Sequence, residues 1–449
     1  MTSPPVVRFA ATLDRRLDES VNGAWDSRAW VLKPTEHRSA GRYSINDAIS
    51  VVGAGYVGYP LALLLAEAGH NVVAVDTDQR IVDAINRGQP LLDEPGIAKA
   101  VADISGSGRL SASKSAGPSE AYILAVPTPL DELGRRVDLT AVEAAARSIV
   151  PHLKRGNLVV IESTVPPGTS TTVILPILEA SGLDIGDDVL LAHCPERVRP
   201  GATMNELVHV DRIVGGINER STAAAVNLYS SFVESGFEET DIVTAELCKL
   251  MENTYRDVNI ALSNQVAEIA TKHGVDPLEA VRIANGHPRV DYLAPGIGVG
   301  GHCIPVDPWF LVSEVGENGG VVGAARAVND RQPLLIAQMI ADQAGNAVRP
   351  RVVLVGAAYK PEVSDTRNAP AFAIREDLLA RGFDVVTYDP LVDGYGGDLA
   401  VLASEADLVA ILVPHRRVVG NLRAEADLVT AAMRRPLILD FSSGTPQAL

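Results

Sequence analysis

The side chain with the most chemical reach in this chain is a thiol. Cys303 stands in GVGGHCIPVDPW, Gly298 to Trp309, among three glycines and two prolines, with Asp307 four residues after it. A thiol whose pKa of ~8.5 is lowered by a nearby cation is the side chain that attacks carbonyl carbon most readily near neutral pH. An aspartate within reach can orient or deprotonate water for a following hydrolysis, and glycines let backbone approach a substrate. The same stretch also reads as a small cysteine packed in a turn-rich loop. Lys249 and Asn253 lie one turn apart in a mostly apolar helical segment and share a face with Arg256. That setting favours a functional role for Lys249 and Asn253, whereas a solvated or salt-bridged Arg256 is as good a reading as ligand contact.

A second chemistry sits near the start of the chain. A β-branched run leads into Gly53-Ala-Gly55-Tyr56-Val57-Gly58, an amphipathic helix ends near Gly69, and a second strand, Val72 to Val75, is closed by Asp76. This order predicts a βαβ unit with a dinucleotide fingerprint. Gly53 makes the tight turn, Gly55 lets a pyrophosphate approach the helix N-terminus, and Gly58 lets helix and strand pack closely. Asp76, eighteen residues after Gly58, can accept from both ribose hydroxyls and would repel a 2′-phosphate, so NAD is expected over NADP. Fingerprint and thiol together permit two successive oxidations. A first hydride transfer turns a primary alcohol into an aldehyde, the thiolate traps it as a thiohemiacetal, and a second NAD takes the remaining hydride. Water then releases the thioester as a carboxylate.

These side chains need elements to hold them. EAYILAVPTPL (Glu120 to Leu130), NLVVIESTVPPGT (Asn157 to Thr169) and LLAHCPERVRPG (Leu190 to Gly201) each predict a buried strand running into a proline-rich loop. In a parallel sheet such loops lie at the carboxyl edge, where ligands bind. That edge would carry Thr128, Glu162, Thr164 and Glu196; prolines that merely end strands are the competing reading. From Asp241 to His273 the pattern predicts one long helix closed by Gly274, a spine between domains. Its apolar stripe passes through Leu247, Leu250, Met251, Val258, Leu262, Val266 and Ile269. The last hundred residues repeat the opening design, with a strand in RVVLVGAAYKPEVSDTR, one ending at Asp389, and one in SEADLVAILVPH. Only Gly356 of the glycine triplet survives there, which predicts a second doubly wound domain without a second dinucleotide site. Lys360 and Arg367 put positive charge in its strand-end loop, where a nucleotide diphosphate could sit. The fold expected is α/β, two doubly wound Rossmann-like domains joined by a long central helix.

Composition agrees with an enzyme of small anionic ligands. At 449 residues the chain exceeds one hydrophobic core. Its net charge of −17, from 39 basic and 56 acidic residues, repels nucleic acid and anionic membrane, so an anionic ligand needs a local basic pocket. Cys194, Cys248 and Cys303 lack metal-ligand spacing and form no even disulfide set, so no metal is expected and a reducing compartment is. Without a membrane-length apolar run or a secretory leader, a cytoplasmic location is expected.

The motifs GAGYVG, VPTP, ESTVPPGT, CPERVRPG, AELCKLMENTYRDVNIALSNQV, ANGHPRVDYLAPGIGVGGHCIPVDPWF and AYKPEVSDTRNAP follow one another in this chain. In that order it resembles the nucleotide-sugar 6-dehydrogenases of the UDP-glucose/GDP-mannose dehydrogenase family, from about Ile49 to the C-terminus. CPERV, HPRV and GHCIPVDPWF are most similar to the branch acting on UDP-N-acetylmannosamine; the UDP-glucose branch usually has a lysine where this chain has Val306. The resemblance implies that Cys303 forms the thioester and that Lys249 and Asn253 stabilise the oxyanion at C6. Asp307 would work with the lysine and the hydrolytic water, and Thr164 and Glu196 would flank the reacting carbon. Gly53, Gly55, Tyr56, Val57, Gly58, Asp76 and Thr128 would hold NAD, two per turnover, with Arg367 on the cofactor side or at the dimer. Arg197, Lys360 and Arg289 would hold the UDP-sugar, Arg289 reaching across the interface of a homodimer or higher oligomer. Implied domains are an N-terminal extension (1–44), an NAD-binding domain (45–239), a central helical dimerisation region with the cysteine loop (240–330) and a UDP-sugar domain (331–449).

The expected reaction is oxidation of C6 of a UDP-N-acetylhexosamine, UDP-N-acetylmannosamine first, with UDP-N-acetylglucosamine or UDP-glucose after it. A single-hydride β-hydroxyacid-type dehydrogenase, which also uses a lysine and asparagine on a long helix, competes. Met1 to about Tyr43, carrying Trp25 and Trp30, has no counterpart in the family; docking on the body and a disordered arm are both compatible with its composition.

Overall fold

The computed structural model describes residues 48–131, 136–316, 319–345 and 348–448. The tryptophan-bearing arm lies outside them.

Eight short strands form the first sheet: β1 (Ile49–Val52), β2 (Val72–Val75), β3 (Leu110–Ser113), β4 (Ala121–Leu124), β5 (Leu158–Ile161), β6 (Leu190–His193), β7 (Arg212–Gly216) and β8 (Phe237–Asp241). Their order is β3-β2-β1-β4-β5-β6-β7-β8, parallel throughout except where β7 runs antiparallel to β6. Both faces are covered, so the strands read as continuous apolar runs rather than alternating ones. Neighbouring residues serve opposite cores: Val51, Ile123 and Val160 pack on one face, Val52, Leu124 and Ile161 on the other. In register, Val52 pairs with Val75 and Leu124, Leu124 with Ile161, and Ile161 with His193. The carboxyl ends of five strands therefore finish level, and the loops after them form one rim. Order reverses between β1 and β4, the crevice position at which open α/β sheets bind ligands.

The spine helix, Ile242–Lys272, starts at Asp241, whose carboxylate accepts from the backbone N–H groups of Val243 and Thr244. Against it packs a second long helix, Gly320–Ala344. Their contact is polar: the buried Asp257 carboxylate accepts from Arg326 at 2.6 Å and from Asn329 at 2.8 Å. Beyond lies the second sheet, β9 (Arg351–Val355), β10 (Asp384–Tyr388), β11 (Leu408–Ile411), β12 (Ile438–Asp440) and β13 (Gln447–Ala448), in the order β10-β9-β11-β12-β13, with only β13 antiparallel. The two doubly wound domains expected from the sequence are both present.

One expectation is corrected. Leu250 of the apolar stripe is buried, but Leu247, Met251, Leu262 and Ile269 face outward, Met251 55% exposed and Ile269 53%. The buried face instead carries Ala245, Glu246, Lys249, Thr254, Asp257, Ala261 and Asn264. Small residues let the second helix approach closely; Glu246, Lys249, Asp257 and Asn264 take partners from elsewhere in the chain, whereas the buried Thr254 hydroxyl finds none among the described residues. Hydrophobic periodicity locates a face that needs covering and does not say which molecule covers it.

Candidate active site

The rim of the first sheet holds the fingerprint. Gly53 turns the chain at φ +96°, and a Cβ on Gly58 would sit 1.8 Å from the Gly53 carbonyl oxygen, so only glycine lets helix Gly58–Glu67 start there. A Cβ on Gly55 would meet no atom within 4 Å; open space lies where a pyrophosphate would come, beside the Val57 N-cap. Asp76 ends β2 with its carboxylate accepting from the Ala54 and Asp78 N–H groups at 3.0 and 2.9 Å. Thr128 donates its hydroxyl to the Thr164 carbonyl at 2.8 Å, tying the loop after β4 to the loop after β5. These residues fit NAD. In the second sheet the matching aspartate, Asp389, is fully buried, accepting from Ala357 and Ala358 N–H and bonded to His415 at 3.1 Å. That pseudo-site is filled by the protein itself.

Lys249 and Asn253, one turn apart on the spine, reach two different segments. The Lys249 ammonium meets Glu196, in the loop after β6, at 3.0 Å, and Asn253 donates to Asp307 at 2.6 Å. Glu196 is itself fixed by accepting from the Val198 N–H at 2.8 Å. The Cys303 carbonyl accepts from the Val306 and Asp307 N–H groups, a turn that leads into helix Pro308–Val312. Asp307 stands at the N-cap of that helix without capping it, because its carboxylate turns to Asn253 instead. Lys249, Glu196 and Asp307 are each less than 8% exposed.

Burial and mutual charge set their protonation. Burial pulls the Lys249 pKa down, but Glu196, Asp307 and Cys303 outweigh it and hold the ammonium above the usual lysine range. Burial pushes Asp307 up to about 6, with Lys249 and Asn253 opposing. The Cys303 thiol was expected to be lowered by a neighbouring cation, and the reverse holds. Burial, helped by Asp307 and Glu196, drives it up to about 12 against the pull of Lys249 and Arg367. Burial, with the two carboxylates adding to it, outweighs the ammonium and the guanidinium, so the Cys303 thiol is held in its neutral form.

The C-terminal domain closes over this cluster. Lys360 donates to the Pro200 carbonyl at 3.0 Å. The Arg367 guanidinium pairs with Asp365 and lies 5.9 Å from the centre of the Tyr56 ring. Tyr56 in turn donates to Glu94 and shares a hydrogen bond with Thr203. Gly300 and Gly301 do not open the backbone to substrate, as their spacing suggested; added Cβ atoms there would meet Tyr359, Asn368 and Pro370 at 2.8 to 3.0 Å. Their role is to seat the cysteine loop on the C-terminal domain. Arg197 is engaged by Glu252 at 2.6 Å and by the Asp211 carbonyl. Arg289 lies exposed on the turn after helix Pro277–Ala284, and among the described residues its hydrogen bonds go only to His287.

Glu162, placed on the ligand rim from the sequence, is instead a core strut, fully buried and bonded to Arg212 and to the Tyr229 hydroxyl. Glu246 was missed. One turn before Lys249, it accepts from the Gly168 and Ser170 N–H groups at 2.5 and 2.8 Å and so anchors the loop of Thr164 to the spine. An acid three residues from a functional lysine was the available signal. Nothing in the sequence pointed to Glu94, whose carboxylate also takes the Gly201 N–H at 2.8 Å.

The chain matches three family models in succession, described as the NAD binding domain (residues 47–233), central domain (243–331) and UDP binding domain (353–444) of the UDP-glucose/GDP-mannose dehydrogenase family. It is 39% identical over 408 residues to UDP-N-acetyl-D-mannosamine dehydrogenase of Methanococcus maripaludis, covering 89% of this chain and 93% of that one. It is also 39% identical over 386 residues to NDP-N-acetyl-D-galactosaminuronic acid dehydrogenase of Ralstonia nicotianae, covering 82% and 91%. The solved UDP-D-ManNAc dehydrogenase of Pyrococcus horikoshii superposes with a TM-score of 0.83 at 37% identity, over 88% of this chain and 96% of that one. With a fingerprint rim, a polar spine and a second nucleotide-type domain in the family's order, the chain belongs to the UDP-glucose/GDP-mannose dehydrogenase family of NAD-dependent oxidoreductases.

Proposed function

We propose that this chain oxidises the C6 hydroxymethyl of a UDP-N-acetylhexosamine, UDP-N-acetylmannosamine first, to the uronate. The observation that carries the reading is the half-buried thiol of Cys303 set within electrostatic reach of the buried Lys249, Glu196 and Asp307, with Asn253 bonded to Asp307. Relatives named for N-acetylated hexosamine substrates support the sugar, and Val306 in the place of the UDP-glucose branch's lysine agrees with it.

Bound NAD supplies the hydride acceptor at both oxidations, so one alcohol, two NAD+ and one water give one carboxylate, two NADH and three protons. Gly53, Gly55, Tyr56, Val57, Gly58, Asp76 and Thr128 hold the cofactor, Arg367 closing over Tyr56. Lys360 and Arg197 take the nucleotide side of the sugar. Lys249, kept protonated, and Asn253 donate to the C6 oxygen as charge develops on it, in a pocket dry enough to make those bonds strong. Asp307, ionised above about pH 6, accepts the alcohol proton. Once C6 is an aldehyde, Cys303 Sγ bonds to it while the thiol proton passes to the carbonyl oxygen, giving the thiohemiacetal. The second oxidation leaves a thioester. Water activated by Asp307 and positioned by Glu196 and Thr164 adds to it, the S–C bond breaks, and the thiol takes its proton back. A resting thiol with its pKa near 12 makes attack depend on that concerted transfer, which keeps the nucleophile quiet until an aldehyde is present.

We infer a homodimer as well. Val243, Leu247, Met251, Tyr255, Leu262 and Ile269 leave an exposed apolar face along the spine, and a second copy is the partner whose matching face would bury it. Arg289 would then serve the neighbouring subunit's substrate.

The test is stoichiometric. A panel of UDP-sugars should give the highest kcat/KM with UDP-N-acetylmannosamine, two NADH per uronate, and no uronate from Cys303→Ala. One NADH per product, or uronate from Cys303→Ala at the wild-type rate, would transfer the chain to single-hydride chemistry.

A further inference from the structure

The loop that carries Cys303 is gripped from the other domain. The Gly301 N–H donates to the Arg367 carbonyl at 2.9 Å, and the Gly301 carbonyl accepts from Asn368 Nδ2 at 3.0 Å. Two consecutive residues of the C-terminal domain thus hold, by both backbone groups, a residue two places before the thiol. The seat leaves no slack. A Cβ on Gly300 would lie 2.8 Å from both the Asn368 carbonyl oxygen and Tyr359 Cβ, and one on Gly301 would lie 3.0 Å from the Tyr359 ring. Asn368 takes a left-handed φ of +50°, a conformation asparagine tolerates better than most side chains, and this turn aims its amide at Gly301. The segment that supplies the grip, Tyr359 to Asn368, also carries Lys360, whose ammonium crosses to the Pro200 carbonyl at 3.0 Å. A ligand that engages Lys360 therefore acts on the body to which the cysteine loop is bolted.

We propose that Asn368 is a positioning residue through which occupancy of the nucleotide site beside Lys360 fixes the Cys303 thiol for attack. This rests on the nucleotide-sugar reading above and goes beyond it, because it assigns to the UDP half of the substrate a part in placing the nucleophile as well as in binding. Because the seat leaves no slack, the gripping segment and the cysteine loop move as one; with Lys360 engaged, the segment is fixed and the thiol with it. Full engagement of the nucleotide is then needed for thiohemiacetal formation at its best rate, in keeping with binding energy from a remote group being used at the reacting centre.

The experiment uses the full chain and UDP as probe, with two variants. Asn368→Gly keeps the left-handed turn and deletes the amide; Asn368→Asp keeps the shape and sets a carboxylate oxygen against the Gly301 carbonyl. UDP affinity is measured by calorimetry, and alkylation of Cys303 by iodoacetamide is followed on its own peptide by mass spectrometry, with and without UDP. In the wild type, UDP slows Cys303 alkylation about threefold or more. Both variants bind UDP with wild-type affinity, alkylate faster and lose the response to UDP, and their kcat falls roughly five- to tenfold while KM for the UDP-sugar stays within about twofold. Variants that retain the UDP response, or that lose UDP affinity in step with kcat, overturn the proposal. A wild-type enzyme that binds UDP without any change in alkylation removes this inference alone, whereas one that binds no UDP removes the nucleotide-sugar reading and the inference together.

Discussion

Asp307 and Cys303 share one buried pocket four residues apart, and the two are raised for the same first reason, burial, with opposite consequences at neutral pH. Asp307, up to about 6, is still ionised at pH 7; Cys303, up to about 12, is not. In the proposed mechanism the base is then ready and the nucleophile held back. As pH falls through about 6 Asp307 takes a proton and can no longer accept one, so kcat/KM, which reports the free enzyme, should decline on the acid side with an apparent pKa near 6. Asp307→Asn should flatten that limb and lower the plateau; an unchanged limb would give the acid titration to another group. Lys249 carries the complementary role. Lys249→Met removes the ammonium that faces Glu196 and Asp307 and, on the proposed mechanism, a donor to the C6 oxygen, and should lower kcat by roughly a hundred- to a thousandfold, read in steady-state kinetics with folding checked by circular dichroism.

The elements position these residues through struts that are not themselves in the pocket. Arg212 opens β7, Glu162 follows β5, and Cys194 follows β6, and the Arg212 guanidinium joins all three while stacking 4.4 Å from the centre of the Tyr229 ring. The bridge pins the strand ends from which Thr164 and Glu196 depart. Arg212→Met leaves the Glu162 carboxylate buried without its cation and should cost about 3–5 kcal/mol of stability, measurable in urea unfolding, whereas replacing Arg212 and Glu162 together by apolar residues should cost less. Sequence patterning made β1, β2, β4, β5 and β6 readable because both faces of each strand are buried. Leu110–Ser113 and Phe237–Asp241 went unread; they are the two outer strands of the sheet, and the latter exposes Glu238 and Glu239, so neither carries a continuous apolar run. The spine was legible in length and bounds but not in orientation, since its inward face carries polar side chains whose partners lie far away in sequence. Lys249 and Asn253 stood out for the converse reason, polar side chains at helical spacing in an apolar setting, and they bond Glu196 and Asp307. Glu162 looked the same on a strand and proved structural, because spacing alone cannot reveal an Arg212 fifty residues on.

At the scale of the whole molecule, the pocket is assembled from parts that no single domain owns. The first sheet brings the cofactor rim and Glu196, the spine brings Lys249 and Asn253, the connecting loop brings Cys303 and Asp307, and the second sheet sends Lys360 and Arg367 across. Among the described residues no helix is long and apolar enough to cross a membrane, and the exposed apolar face of the spine has the composition of a surface that another protein covers. If that surface is a second copy, charge placed in its middle should separate the two: Leu247→Glu with Met251→Glu should sediment as a monomer, and an unchanged sedimentation coefficient would assign the face elsewhere. Arg289 makes the stronger test. It stands exposed, its hydrogen bonds among the described residues going only to His287, which suits a residue whose work is done in the neighbouring subunit. Arg289→Ala should raise KM for the UDP-sugar and Cys303→Ala should be inactive. In a heterodimer of the two, one site combines an intact Cys303 from one subunit with an intact Arg289 from the other, while the second site lacks both. An equal mixture that exchanges subunits at random should therefore recover about a quarter of wild-type turnover at low substrate, because half the dimers are mixed and each has one complete site. Recovery no greater than the sum of the unmixed variants, in dimers verified as mixed by mass, would confine each site to a single chain and return Arg289 to its own subunit.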